Sequence, residues 1–358
     1  MKRGSKLRIG YVPYSQDISH PADRRRIGMW SRESKTPLQI TNPLDSNVLV
    51  LSNNANLGWW IRKAHQPVIL DLVDGYLGSS PSFFKDFSRN LLRSVTGRSE
   101  LKWLTYNNHL TYACRRAACV VVASPEQQQS IQHLNENIHI ILDDHSEFYS
   151  QTTNQETTGH EMRTAQEFRA VFWEGMGSNL QHFRNVSLQL DKWLSESGWT
   201  LFLLTEQHFT RYSTFLGKTN SIEYIQSMFP LSWNNVKLVP WSIENVVNYS
   251  KIADFAIIPI NQNDKFARLK SENKLMSMWS LGLPTLTSKT PAYLRIARSI
   301  TGEDFTIDES EWYSSLKKFS SNSNRRIEWQ KQGNDFISLK HTRELIFEKW
   351  TKAIGSVN

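Results

Sequence analysis

Short apolar runs alternate with amphipathic stretches along the first part of the chain. Runs rich in Val, Ile and Leu are typical of strands in a parallel sheet that is covered on both faces. The stretches between them repeat apolar residues every three or four positions, which predicts helices. The predicted strands span residues 7–14, 47–52, 67–74, 119–123 and 138–142. This alternation of strand and helix predicts a doubly wound α/β domain.

The same alternation begins again after a polar interruption. Residues 143–167 lack apolar periodicity and are typical of a linker. The strands predicted beyond it span residues 169–173, 200–205, 236–239, 254–260 and 284–287. We therefore predict two Rossmann-like domains with ligands at the carboxyl ends of their strands. Their boundaries are 1–145 for the N-terminal domain, 146–168 for the linker, 169–335 for the C-terminal domain and 336–358 for a C-terminal helix.

Residues 270–288, KSENKLMSMWSLGLPTLTS, predict a loop, a helix, a tight turn and a strand. Apolar residues repeat at helical spacing, and Gly282 ends the helix. Ser271 is predicted to cap its N-terminus. Ser271, Asn273 and Lys274 gather at this end, where free N–H groups, the helix dipole and a lysine suit a phosphate. The alternative is an ordinary capped helix with a solvated lysine.

The loop after the first predicted strand, SQDISHPADRRR, is dense in polar groups. Asp17, His20 and Asp23 could each supply a catalytic base. The residues that could hold an anionic acceptor or a donor phosphate are Ser15, Arg24, Arg25 and Arg26. The alternative is that Asp23 caps the following helix and that the arginines are solvated.

A second candidate base ends the run PVILDLVD. Asp74 stands there directly before Gly75, although an Asp that enters a turn with Gly is common for structural reasons alone. Asp71 lies within the same predicted strand, so we expect its side chain to be buried and hydrogen-bonded.

One predicted helix, residues 81–95, combines an apolar face with a basic stripe. The apolar face consists of Phe84, Phe87, Leu91, Leu92 and Val95, and the stripe consists of Lys85, Arg89 and Arg93. We expect the apolar face to pack on the core, with the stripe as a solvated edge. The alternative is that the helix lies on an anionic membrane surface.

Composition narrows the class of protein. The chain has 358 residues, which suits two domains, and it has no apolar run long enough to span a bilayer. Cys114 and Cys119 are its only cysteines, too few for a disulfide framework or a structural zinc site. The N-terminus lacks the pattern of a secretory signal. These features favour a cytoplasmic protein.

The net charge of +8 favours anionic partners such as nucleotides or acidic lipid headgroups. Nucleic acid is not expected as a partner, because zinc-finger spacing, an aromatic RNA-binding motif and a long basic tail are all absent from the sequence.

Three segments together resemble the C-terminal half of GT-B nucleotide-sugar glycosyltransferases. They are DFAIIPI from Asp254, KSENKL from Lys270 and GLPTLTS from Gly282. The family pattern (P/S)xNKLxxYxAxGxPVV has the same offset of nine residues that separates Asn273 from Gly282. The resemblance implies two facing Rossmann-like domains with a cleft between them. It also implies a donor site in the C-terminal domain, an acceptor site in the N-terminal domain, and a last helix that crosses back to the N-terminal domain.

The sequence departs from the family at two places. Retaining members often carry an E-x7-E pair, whose positions fall on Leu269 and Ser277 here, with Glu272 nearby. The usual Arg and Lys after the first strand of the C-terminal domain are replaced by the loop WEGMGSN. Gly175 and Gly177 of this loop could bring backbone N–H groups near a diphosphate, or could simply form a turn.

The resemblance implies a glycosyltransferase that uses a nucleotide sugar as substrate, needs no cofactor and works without a metal ion. The expected acceptor is a growing surface polysaccharide such as O-antigen or capsule on a lipid carrier. The expected place is the cytoplasm or the inner face of its membrane. Two alternatives remain: a nucleotide-sugar epimerase of the same fold, and a degenerate transferase that serves as a binding or scaffold protein.

Overall fold

The computed structural model describes residues 7–79, 82–148, 169–210, 217–300 and 305–357. Its contacts divide the chain into two compact units. Unit 1 comprises Met1–Asp144, Leu269–Asn273 and Thr342–Asn358, and unit 2 comprises His145–Arg268 and Lys274–His341. Most of the predicted linker, residues 149–168, lies outside the described residues.

Unit 1 is built on a parallel six-stranded sheet with the order β2-β1-β3-β4-β5-β6. Its strands are β1 Ile9–Val12, β2 Leu38–Gln39, β3 Val48–Ser52, β4 Val68–Leu72, β5 Cys119–Val122 and β6 Ile138–Ile140. Its helices are α1 Pro21–Arg24, α2 Ile27–Ser34, α3 Leu57–Lys63, α4 Phe83–Val95, α5 Tyr106–Arg116 and α6 Pro125–Ile131, with a last helix over Arg343–Gly355.

The two faces of this sheet carry separate cores. Successive side chains of a strand point to opposite faces, so Val48 and Val50 join one core while Leu49 and Leu51 join the other. The last helix contributes fully buried Trp350 to the first core, which also contains Trp30 of α2. The indole N–H of Trp30 also donates to the hydroxyl of Thr351 at 2.9 Å. The last helix is therefore an integral part of unit 1.

A buried ion pair links α2 to the carboxyl half of the sheet. Arg26 is fully buried, and its guanidinium donates to the Asp71 carboxylate at 2.6–3.0 Å and to Asp143 at 3.0 Å. The expectation that Asp71 is buried and hydrogen-bonded is confirmed. The suggestion that Arg26 could hold an acceptor or a phosphate was wrong, because these two carboxylates already occupy its donors.

Unit 2 contains a second parallel six-stranded sheet, with the order β11-β8-β7-β12-β13-β14. Its strands are β7 Ala170–Glu174, β8 Thr200–Thr205, β11 Val236–Pro240, β12 Phe255–Ile258, β13 Thr285–Ser288 and β14 Thr306–Ile307, with β9 His208–Phe209 and β10 Thr219–Asn220 in a small antiparallel ribbon. Its helices are α7 Ser187–Ser197, α8 Ser221–Gln226, α9 Ile243–Ile252, α10 Lys265–Arg268, α11 Asn273–Ser280, α12 Pro291–Ile300, α13 Trp312–Ser320 and α14 Ser323–Lys340.

Both sheets confirm the predicted doubly wound α/β architecture. Counted along the large sheet alone, the strands of unit 2 follow the order 3-2-1-4-5-6 of dinucleotide-binding domains. Unit 1 reverses direction between β1 and β3 instead, as flavodoxin-like sheets do. The sequence analysis missed the edge strands β2 and β14, because two residues are too few to show a period.

One helix is turned opposite to the expectation. The apolar face of α4 is exposed, with Phe84 at 80% exposure, while Asp86 and Asn90 are buried beneath the helix. The prediction that this face packs on the core was therefore wrong: polar side chains, rather than apolar ones, connect α4 to the rest of unit 1. Among the described residues, no helix combines the length and the apolar character that crossing a bilayer requires.

Candidate functional site

The strand order indicates where each unit would bind a ligand. In doubly wound sheets, ligands bind beyond the carboxyl ends of the strands at the point where the strand order reverses. In unit 2 that point lies between β7 and β12, next to the loop that follows Glu174. In unit 1 it lies between β1 and β3, next to the loop that follows Val12.

Lys274 reaches the end of β7 from the first turn of α11. Its ammonium donates to the backbone carbonyl of Glu174 and lies 3.2 Å from Oε1 of the same residue. It also lies 5.1 Å from the ring centroid of Trp173. The other carboxylate oxygen of Glu174 accepts from the indole N–H of Trp241 at 3.1 Å. Lys274 thus stands at the predicted edge, and an acidic side chain is its partner there.

Gly175 and Gly177 make room for this arrangement. A Cβ on Gly175 would lie 2.6 Å from the Lys274 ammonium nitrogen, and one on Gly177 would lie 2.7 Å from Cβ of Phe209. The backbone N–H of Gly177 donates to the carboxylate of Glu206, which also accepts from the Thr205 hydroxyl at 3.0 Å. The N–H of Gly177 therefore already binds an anionic oxygen, which belongs to the protein and not to a phosphate.

The residues just before Lys274 lie in a different environment. α11 begins at Asn273, so Ser271 lies two residues before the first helical residue and does not cap it as predicted. The amide oxygen of Asn273 accepts from the backbone N–H of Asp143 at 3.0 Å. Ser271 and Glu272 are buried, and so is Ser277 one turn along the helix.

Packing explains why residues 269–273 belong to unit 1. A Cβ on Gly75 or on Gly78 would lie 2.8 or 2.6 Å from the side chain of Leu269, so both glycines leave space for that leucine. The carbonyl of Leu269 accepts from the amide of Gln127 at 3.2 Å. The predicted phosphate-binding group is therefore divided: Ser271 and Asn273 lie in unit 1, as does Glu272, and Lys274 begins the next segment of unit 2.

In unit 1, Asp23 organises the loop after β1. It is fully buried and accepts from the Tyr11 hydroxyl, the backbone N–H groups of Tyr14 and Ser15 at 2.8 and 3.0 Å, and the Ser15 hydroxyl at 3.1 Å. A carboxylate with this many inward bonds holds the loop in shape. The interpretation of Asp23 as a base was wrong, and so was its alternative as a helix cap, because His20 caps α1.

His20 is held in one chemical role by that cap. Its Nδ1 accepts from the backbone N–H of Ala22 at 3.1 Å, and its ring stacks on Tyr14 with centroids 4.9 Å apart. Burial lowers the pKa of His20, which favours the neutral ring. Since Nδ1 accepts, the single proton of the neutral ring lies on Nε2. The geometry therefore favours His20 as a hydrogen-bond donor rather than as a base.

The two remaining base candidates differ in environment. Hydrogen bonds from the backbone N–H and the hydroxyl of Ser19 lower the pKa of exposed Asp17. Burial raises the pKa of Asp74, an effect that the Lys270 ammonium and the Tyr76 hydroxyl oppose. A raised pKa makes a carboxylate a better proton acceptor near neutral pH. Asp74 therefore fits the role of a base better than Asp17 does.

The predicted acceptor residues of this loop all have bonds within the protein. The Ser15 hydroxyl also accepts from the backbone N–H of His20 at 3.0 Å. Arg24 donates to the carbonyl of Ser19 at 3.0 Å, and the carbonyl of Arg25 accepts from Asp144 at 2.8 Å. Both arginine side chains are half-buried, and their role in binding an anion stays a prediction.

One cavity of unit 2 lies apart from these residues. It has a volume of about 530 Å³, lies between α12 and α14, and is lined by residues such as Arg295, Gln332 and Asp335, none of which is a candidate above.

Within the part of the chain that the structure describes, no three His, Cys, Asp or Glu side chains are placed to hold a metal ion together.

Sequence analysis missed three contributors to the edge of unit 2: Glu174, Glu206 and Trp241. A local signal exists for the first two, since an acidic residue at the end of a buried strand or directly after it lies at the edge where ligands bind. Trp241 follows β11 in the same way. Their pairing with Lys274 and Gly177 depends on the tertiary fold and has no signal in the sequence.

Comparison with known proteins gives a fold but no close relative. No protein-family model matches the chain, and no curated protein matches its sequence. HepE of Anabaena, solved with UDP and glucose, matches with a TM-score of 0.64 at 11% identity, over 98% of this chain and 100% of HepE.

Two longer proteins match as well. S. aureus TarM, solved with UDP, fondaparinux and alpha-GlcNAc-glycerol, matches with a TM-score of 0.58 at 10% identity over 91% of this chain. The pneumococcal O-GlcNAc transferase GtfA, solved with UDP and GlcNAc, matches with a TM-score of 0.55 at 11% identity over 87% of this chain. The chain spans 57% of TarM and 56% of GtfA. The chain has the GT-B fold of these glycosyltransferases, and the resemblance found in its sequence is confirmed at the level of fold.

Proposed function

We propose that this GT-B protein is a glycosyltransferase that moves a sugar from a nucleotide-sugar donor to a growing, lipid-linked surface polysaccharide such as O-antigen or capsule. The observation that carries the donor half is the pairing of Lys274 with Glu174 at the reversal point of a 3-2-1-4-5-6 sheet. A cation at this point suits a diphosphate. The bound UDP in HepE, TarM and GtfA supports the same class of donor.

In this proposal the donor diphosphate replaces Glu174 as the partner of Lys274. The side chain of Lys274 is 23% exposed, so a ligand could take the place of its anionic partner. The N–H of Gly177, which now binds the Glu206 carboxylate, would give a second bond to a phosphate oxygen. Transfer separates a sugar from a phosphate, and positive groups fixed near that phosphate stabilise the charge that develops there. Lys274 and the backbone would supply this stabilisation without a metal ion or another cofactor.

The acceptor half of the proposal assigns the edge of unit 1. Asp74 takes the proton of the acceptor hydroxyl, and His20 donates a hydrogen bond from Nε2 to a sugar or acceptor oxygen. Ser15, Arg24 and Arg25 line the same loop and would contact acidic groups of the acceptor. Asp17 is a weaker candidate for the base because its pKa is lowered.

The place of action belongs to the same proposal. A lipid-linked acceptor would be met at the inner face of the cytoplasmic membrane. The net charge of +8 supports peripheral contact with an anionic membrane there.

A panel of nucleotide sugars tests the proposal. We expect one donor to raise the melting temperature and to be consumed only when an acceptor glycan is present, and EDTA to leave the rate unchanged. Asp74→Asn should slow transfer about 10²- to 10⁴-fold and leave donor binding intact.

Other outcomes identify the alternatives. Release of an epimerised nucleotide sugar without an acceptor would indicate the epimerase. Absence of nucleotide binding across the panel would support the alternative that the protein is a binding or scaffold protein.

A further inference from the structure

The apolar face of α4 is exposed. It comprises Phe83, Phe84, Phe87, Leu91, Leu92 and Val95. Their exposed fractions run from 38% for Phe87 to 80% for Phe84. At ~100° per residue these six positions cover about half of the circumference of the helix. Leu101 and Leu104, just beyond the helix, are 61% and 58% exposed. Contiguous exposure of this kind marks an interaction surface.

Polar bonds hold the opposite face of α4 inward. The carboxylate of Asp86 accepts from the backbone N–H of Asn107 at 2.8 Å. Asn90 accepts from the hydroxyl of Ser99 and donates to the carbonyl of Glu100 at 3.3 Å. Asp86 and Asn90 are 3% and 1% exposed. Rotating the helix to hide its apolar face would break these bonds, so the exposure is a property of the folded unit.

The two arginines of the predicted basic stripe also face inward. The Arg93 guanidinium lies 4.5 Å from the ring centroid of Tyr106 and donates to the carbonyl of Asn53 at 2.7 Å. Arg89 lies 5.8 Å from the same ring. Both guanidinium groups therefore face the protein instead of forming an exposed stripe. Of the predicted stripe of Lys85, Arg89 and Arg93, Lys85 is the residue that is exposed.

Exposed cations lie on α4 and in the segment that follows it. Lys85 on α4, and Arg98 and Lys102 after it, are all exposed. Residues 83–104 contain five basic and two acidic residues. Of the two acidic residues, Asp86 is buried, and Glu100 is paired with Arg62 at 2.8 Å and with the half-exposed Lys102 at 3.7 Å. An apolar face in a segment of net positive charge complements an anionic lipid surface, in which acyl chains lie beneath negative headgroups.

We propose that α4 lies in the plane of an anionic phospholipid bilayer and inserts its apolar face among the headgroups and upper acyl chains. Lys85, Arg98 and Lys102 then contact the phosphates. The proposed glycosyl transfer explains why the protein would be at a membrane, but the surface itself is defined by its exposure and charge. Because most of the contact is apolar, vesicle binding should persist at salt concentrations that screen the charges.

Vesicle co-sedimentation tests the proposal on the full chain. We expect binding to phosphatidylcholine vesicles that contain phosphatidylglycerol, weaker binding to phosphatidylcholine alone, and a bound fraction that persists at high salt. Phe84→Ser and Leu91→Ser should each weaken binding about tenfold or more, since each removes a large apolar side chain from the lipid. Lys102→Glu should reduce the preference for anionic vesicles, because Lys85 and Arg98 remain.

The matched control is Leu188→Ser in unit 2, because Leu188 is also 80% exposed. We expect it to bind vesicles as the wild type does. Unchanged vesicle binding by Phe84→Ser and Leu91→Ser would overturn the proposal. Loss of a dimer in those variants, with vesicle binding unchanged, would also overturn it and assign the face to a second copy of the chain. Transfer to a soluble acceptor, measured in parallel, distinguishes failure of this proposal from failure of the glycosyltransferase.

Discussion

Two cations, Arg26 and Lys274, each pair with carboxylates next to the carboxyl edge of a parallel sheet, yet the pairs differ in what they can do. Arg26 is fully buried, and its donors are divided among Asp71, Asp143 and the carbonyl of Ile141. Lys274 is partly exposed, and its charged partner in the structure is Glu174. The first pair fixes a fold. The second can exchange its partner, which a ligand-binding cation must do.

The largest effect that tests this contrast is on stability. Asp71→Asn leaves a buried guanidinium without its main counter-ion, and we expect the free energy of unfolding to fall by about 3–5 kcal/mol. Glu174→Gln is the matched change at the exchangeable pair, and it should cost about 1 kcal/mol or less. Urea unfolding of both variants measures the difference. Equal losses of unfolding free energy would show that the two ion pairs contribute equally to stability, against this expectation.

A second buried polar group predicts a pH effect. Burial lowers the pKa of His109 to about 4, and its Nε2 accepts from the backbone N–H of Gly58 at 2.8 Å. In the unfolded chain the histidine has a pKa of about 6.5, so below that pH the unfolded chain binds a proton that the native ring does not. The free energy of unfolding should therefore keep its full value above pH ~6.5 and fall as the pH drops. The loss should reach about 3 kcal/mol once the pH is below the pKa of the folded state.

Unfolding curves between neutral and acid pH check this prediction, with His109→Gln as the comparison. The variant should be less stable at neutral pH and should lose less of its stability on acidification. If its pH dependence matched that of the wild type, His109 would not be the group that titrates.

The smallest expected effect concerns the exchangeable pair itself. Glu174→Gln removes the charge that competes for Lys274, so a nucleoside diphosphate should bind tighter, by up to about tenfold. The control is Asp308→Asn, because Asp308 pairs with Lys289 at 2.8 Å elsewhere in unit 2. Calorimetric titration compares the two variants. Weaker binding by Glu174→Gln would mean that its carboxylate helps to hold the donor.

The sequence predicted the two sheets well for a physical reason. Strands covered on both faces must be apolar along their whole length, and β3, β4 and β5 are buried at every position. The face of α4 was equally clear, but a periodic pattern shows only that a helix has two faces. Which face turns inward depended on Asp86 and Asn90, whose partners lie in segments that follow α4 in sequence.

The candidate site was predictable only in part. The pattern around Lys274 predicted a helix that begins near this residue, and α11 does begin at Asn273. The contact of Lys274 with Glu174 at the end of β7 depends on the tertiary fold and was not predicted. The roles of Asp23 and His20 could not be predicted, since they depend on hydrogen bonds made after the loop has folded. The attachment of Leu269 to unit 1 likewise depends on space left by Gly75 and Gly78, which no local pattern records.

The proposed donor site is tested most directly by the affinity of Lys274→Ala for a nucleoside diphosphate, measured by calorimetry beside Lys289→Ala. Both lysines lie in unit 2 and pair with a carboxylate, but only Lys274 stands at the end of β7. Loss of a charge-assisted hydrogen bond costs about 1.5–3 kcal/mol, so Lys274→Ala should bind about 10- to 100-fold more weakly while Lys289→Ala binds as the wild type does. Equal affinity in the two variants would contradict the proposed donor site.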